Sequence, residues 1–131
     1  MTRRFGIDTS ILVRLITGHA ETGFQYCVRR IGSLIDEGHE VFASNQVIGE
    51  AYVAVQHHYG ISKSDARSAL HAALRSGLVA PLNGRTAIGA LEASDGAGLL
   101  DRLIADDYAR TGLETLTLDR KMARLADTRR L

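Results

Sequence analysis

The chain has 131 residues, a length suited to one domain, and its 45% hydrophobic content is enough for one real core. A net charge of +1 excludes an overall basic field for nucleic acid, and no run of about 20 apolar residues is present to span a bilayer, so no membrane role is expected. The only cysteine, Cys27, cannot close a disulfide within the chain and fits a reducing, cytoplasmic setting.

The opening MTRRFGIDTSILVRLIT has a faint likeness to a secretory leader, but Asp8 and Arg14 interrupt its apolar part and no small-residue cleavage site follows. Phe5 to Ile7 reads instead as a short strand running into Asp8. Ile11, Leu12, Leu15 and Ile16 have helical spacing, and Phe24, Cys27, Val28, Ile31, Leu34 and Ile35 form a second helical stripe ended by Gly38. Glu40 to Ala43 is a strand. A helix capped by Ser44 or Asn45 follows, with Val47, Ile48, Ala51, Tyr52 and Val55 inward, and stops at Gly60. Ser62 or Ser64 caps the next helix, which ends at Gly77. Leu78 to Ala80 is a third strand, and Thr86 to Ala93 a weaker helical stretch. Leu99 to Arg110 reads as helix with Leu100, Leu103 and Ile104 inward. Thr115 to Leu118 is a strand, and Asp119 to Ala126 a last short helix.

Short apolar strands alternating with amphipathic helices indicate an α/β sandwich around a parallel sheet, with no linker or repeat to divide residues 1–131. Sites in such sheets form at the carboxyl ends of strands. Four acids are expected on that rim: Asp8 after the first strand, Glu50 in the second turn of the helix after strand 40–43, Asp101 in the first turn of helix 99–110, and Asp119 after strand 115–118. Each adjoins an apolar stretch, where a charge is costly unless compensated, and a divalent cation would compensate all four. Singly, each has an ordinary explanation. Asp8 and Asp119 suit helix N-caps, Asp101 suits the helix dipole, and Glu50 suits a solvated face. Asp106, about 140° from Asp101 around the helix, is expected on the surface.

The local sequences of these acids, FGIDTS, SNQVIGEAYVAV, Asp101-Arg102-Leu103-Ile104-Ala105 and Thr117-Leu118-Asp119-Arg120, occur in one order along nearly the whole chain. In this the chain resembles the PIN-domain ribonucleases, and among them the VapC-type toxins of bacterial toxin–antitoxin pairs. The resemblance implies a three-layer sandwich, with a central, mostly parallel sheet and helices on both faces. It also implies a metal-dependent endoribonuclease in which Asp8, Glu50, Asp101 and Asp119 are catalytic and hold Mg²⁺ or Mn²⁺. Thr9, Ser10 and Thr117 would support them. RNA, a cognate antitoxin and a second copy of the chain are the implied partners. Carboxylate-only sites favour hard cations over zinc, and such an ion acidifies water for in-line attack on phosphorus. Residues 76–98 match nothing distinctive.

Two rival readings stand beside this one. A catalytically silent module of the same fold would bind RNA or protein; its mark would be a missing acid, and none is missing. A metal-dependent phosphatase or phospho-acceptor domain also uses aspartates at strand ends, but Ser10 stands where a haloacid-dehalogenase type has its second Asp. His57-His58 lacks zinc-site spacing, and no Gly-rich phosphate loop is present. All but two of the 16 cations are arginine, in clusters at Arg3-Arg4, Arg29-Arg30, Arg120-Lys121-Arg124 and Arg129-Arg130. Phosphate contact and a solvated surface explain them equally well.

Overall fold

The computed structural model describes residues 1–19 and 21–131. Strand β1 (Arg4–Gly6) leads into helix α1 (Thr9–Thr17), followed by α2 (Glu21–Asp36), β2 (Glu40–Ala43), α3 (Asn45–Tyr59), α4 (Lys63–Leu74), β3 (Ala80–Pro81), α5 (Arg85–Glu92), α6 (Leu99–Arg110), β4 (Thr115–Thr117) and β5 (Thr128–Arg130). The local chemistry sets most of these boundaries. Asp8 and Ser44 cap α1 and α3 by accepting the backbone N–H of Ile11 and Val47, and Ser62 does the same for α4. Gly18 and Gly60 close α1 and α3 in the left-handed conformation, at φ 62° and 64°.

The α/β class with a parallel sheet holds, as expected from the sequence. The five strands of the described residues divide into two sheets, however. β1, β2 and β3 pair in parallel in that order, with Phe5 level with Val41 and Phe42 level with Ala80. β4 and β5 form a separate parallel pair, with Thr115 level with Thr128. The main core gathers Leu12, Ile48, Val55, Leu70, Val79 and Leu99, with Val41 and Ala43 facing into it from β2. Every buried residue of this cluster lies between Leu12 and Leu103, so β4 and β5 stand outside it. On the other side of the sheet, Phe42 borders a hollow of about 540 Å³ shared with Phe5, Ile7, Asp8 and Leu82.

Helix α6 crosses α3 antiparallel. The Leu103 carbonyl meets the side chain of Asn45 at the start of α3, and the beginning of α6 lies with Gln56 and His57 near its end. The two helices approach closely at Gly49, where an added Cβ would come within 3.0 Å of Leu100 Cδ2. Leu99, Leu103 and Ala105 are the buried residues of α6, whereas Leu100 and Ile104, expected inward, are 40% and 46% exposed. The helix expected over Asp119 to Ala126 contracts to one 3₁₀ turn, Met122–Arg124, and β5 follows where no strand was predicted.

Candidate active site

At the carboxyl ends of β1 and β2 the sequence builds a compact polar rim. Asp8 ends the extended segment and caps α1, so its carboxylate is fixed by the helix it starts. Ser10 Oγ donates to Asp8 Oδ1 at 2.7 Å, and the Ile11 N–H donates to the same oxygen at 3.3 Å. The Ser10 hydroxyl, and then the Ile11 amide, hold the Asp8 carboxyl below the usual carboxylate range. Next to it, Thr9 Oγ1 donates to Glu50 Oε1 at 2.6 Å, and Gln46, one turn earlier on α3, donates to Glu50 Oε2 at 3.2 Å. The Thr9 bond, followed by the Gln46 bond, likewise lowers the Glu50 pKa. Glu50 is thus tied to the residue next to Asp8, and hydrogen bonds pre-orient both carboxylates in their ionised form.

The other two predicted acids stand elsewhere. Asp101 lines a hollow with Tyr52, Gln56, His57 and Lys63 at the far end of α3, because α6 runs antiparallel to that helix. Asp119 accepts the Met122 N–H at 2.7 Å, and its own N–H donates to Thr117 Oγ1 at 3.0 Å. Among the described residues, no three His, Cys, Asp or Glu side chains converge on one point that could hold a metal ion. All three supporting hydroxyls nevertheless bond to a predicted acid: Thr9 to Glu50, Ser10 to Asp8, and Thr117 to the backbone of Asp119.

A second polar cluster occupies the same sheet edge, over β2 and β3. Asn45, only 5% exposed, places Nδ2 at 3.0 Å from Asp106 Oδ2 and 3.1 Å from Asp107 Oδ1, and Asn83 Nδ2 lies 2.9 and 2.8 Å from the same two oxygens. Burial opposes the charge of Asp106, but donors from Asn83, Asn45, Thr86 and Arg110 outweigh it and lower the pKa. The Asp106 side chain is only 13% exposed, which corrects its expected place on the surface.

A family model described as PIN domain matches residues 6–128. The chain belongs to the PIN domain family. No curated protein and no solved structure matches the chain. PIN domains are generally metal-dependent nucleases, and the donors at the rim of this PIN domain suit that chemistry. Asp8 and Glu50 offer carboxylate oxygens and Thr9 and Ser10 offer hydroxyls, all hard ligands. Mg²⁺ is commonly held by one or two protein carboxylates and takes water and substrate phosphate for the rest. Sequence reasoning missed Gln46, Asn45 and Asn83 in this PIN domain. The signal for Gln46 was present, since it stands four residues before Glu50 on a helix. For the two asparagines the only local hint was their place just after β2 and β3.

Proposed function

We infer that this PIN domain is a metal-dependent endoribonuclease, the growth-inhibiting toxin of a type II toxin–antitoxin pair, working in the cytoplasm. The hydrogen bond from Thr9, the residue after Asp8, to Glu50 at the carboxyl edge of the sheet carries this reading. Asp8 and Glu50 would hold Mg²⁺ or Mn²⁺. The bound ion would neutralise phosphate charge and acidify water for attack on phosphorus, leaving a 3′-hydroxyl and a 5′-phosphate. Ser10, Thr9 and Gln46 hold the two carboxylates by hydrogen bonds and favour their ionised form. Asp119 and Asp101 complete the proposed set when brought to this rim. Arg4, exposed and lining the same hollow as Asp8, suits the phosphates of an RNA strand. Beside Glu50, an apolar groove along α3 and α6, bordered by Val53, Leu100 and Ile104, suits an amphipathic antitoxin segment, and an antitoxin arginine at the acidic rim would block the site.

RNA cleavage by purified protein with Mn²⁺, compared with Asp8→Asn, tests the reading. Asparagine caps a helix as well as aspartate does, so the variant keeps its fold. Cleavage should fall at least about 100-fold, consistent with the several kcal/mol that a bound metal ion contributes. Undiminished cleavage by Asp8→Asn would remove the rim from the mechanism. The separation of Asp101 and Asp119 from the rim favours one alternative, a silent module that binds RNA without cutting it. Tight RNA binding with no cleavage under any divalent cation would establish that role.

A further inference from the structure

Helix α1 starts at Asp8 and carries a single cation, Arg14. Side chains on a helix lean toward its N-terminus, so a residue near the end of this short helix can reach back a full turn. Arg14 does so, and its Nη1 donates to the Ser10 carbonyl at 3.1 Å. Ser10 is also the residue whose hydroxyl holds Asp8 Oδ1 at 2.7 Å. One serine therefore holds the guanidinium through its backbone and the carboxylate through its side chain. The two charges also act on each other. After the Ser10 and Ile11 hydrogen bonds, attraction to Arg14 makes a smaller contribution to the lowered pKa of Asp8.

The ordinary roles of an arginine in this position are not the ones it plays. A cation in the last turn of a helix serves the exposed carbonyls there. Here the guanidinium turns away from that end, and the Gly18 N–H meets the Arg14 carbonyl instead. A surface ion pair needs a carboxylate partner, but among the described residues the ion pairs are made by His39, His71, Arg110 and Arg129. Arg14 is exposed, and Ser10 is its one side-chain hydrogen-bond partner among the described residues. A planar fork anchored at one N–H and open at the rest suits phosphate.

We propose that Arg14 binds a backbone phosphate of the RNA strand that lies over Asp8. The choice of RNA as the ligand rests on the nuclease reading. A rim of carboxylates repels a polyanion, and a net charge of +1 gives the chain no general field to draw one in. The attraction has to be local, and Arg14 supplies it beside Asp8. A phosphate contact acts on every RNA sequence alike, so Arg14 fixes where the strand lies and leaves the choice of base to other residues. Ser10 holds both groups, so the first turns of one helix set the place of that phosphate relative to the Asp8 carboxylate.

RNA binding tests this without any assay of cleavage. In an Asp8→Asn, Glu50→Gln background those two carboxylates no longer repel the strand, and the RNA stays intact. Fluorescence anisotropy with two single-stranded RNAs of unrelated sequence, over a range of salt, gives the slope of log affinity against log salt. Arg14 is exposed and glutamine suits a helix, so Arg14→Gln keeps the fold. Adding it should make the slope shallower by about 0.7 for both RNAs, the value of one phosphate contact on a single strand. Arg14→Lys keeps the charge and should restore the slope; a lysine variant as shallow as the glutamine one would overturn the contact. Arg75→Gln removes an equal charge at the other end of the sheet, where Arg75 lies with Glu40 at the start of β2, and should leave the slope unchanged. An unchanged slope in Arg14→Gln, or an equal drop in Arg75→Gln, would overturn the proposal. Binding that depends on Arg14, in a protein whose wild type never cleaves RNA, would keep the proposal and remove the nuclease reading. No RNA binding at any salt would remove both.

Discussion

Asp8 and Asp119 are built alike and supported differently. Each lies two residues past a short parallel strand, and each accepts a backbone N–H three residues on. Asp8 stands over β1, β2 and a continuous core, and its neighbour Thr9 reaches across to Glu50. Asp119 stands on a two-stranded tip whose leucines face solvent. A strand followed by an aspartate cap is thus a local device, and what surrounds the strand decides whether it becomes a site.

The sharpest contrast between these regions should be in stability. Leu70→Ala empties a fully buried position and should cost about 2–5 kcal/mol in urea unfolding, whereas Leu116→Ala should cost the isolated chain less than about 0.5 kcal/mol. A large loss from Leu116→Ala that persists at high dilution would show that the tip belongs to the monomer's core. Metal binding should give the next largest difference. At free Mn²⁺ 100-fold above its dissociation constant, wild type should gain about 2.7 kcal/mol, and the gain should vanish in Asp8→Asn combined with Glu50→Gln. An equal shift in melting temperature for both proteins would mean that the ion binds elsewhere.

Smaller effects should separate the supporting hydroxyls. Thr9→Val leaves Glu50 without its shortest donor and should reduce cleavage about tenfold, the equivalent of one lost hydrogen bond to a charged group. Thr117→Val loses only a bond from the Asp119 backbone and should reduce cleavage less. Initial rates on one RNA would rank the two, and the reverse order would give the tip the leading role. The smallest signal should come from pH. Asp106 has a folded pKa below its unfolded value, so its stabilisation is complete above the unfolded value and is lost as pH falls through the folded one. The stability difference between wild type and Asp106→Asn should therefore shrink between neutral pH and about pH 3. A difference that stays constant across that range would show that the Asp106 charge does not matter to folding.

What could be read in the sequence was mostly local. Caps at Asp8, Ser44 and Ser62, the strand over Glu40 to Ala43 and the limits of the helix over Leu99 to Arg110 all follow from neighbouring residues. The direction of α6 does not. It depends on Gly49 admitting Leu100 and on Asn45 receiving the end of the helix, contacts made across more than 50 residues. That one long-range choice moves Asp101 away from Glu50 and draws Asp106 into the sheet edge. β5 escaped notice because Thr128-Arg129-Arg130 has no apolar alternation, and its pairing with β4 supplies what periodicity lacks.

The confinement of the core cluster to residues between Leu12 and Leu103 also grades the stability of the chain. Backbone groups around that cluster open only when the fold opens, whereas β4 and β5 can open on their own, so hydrogen exchange should be slow in the first region and fast in the second.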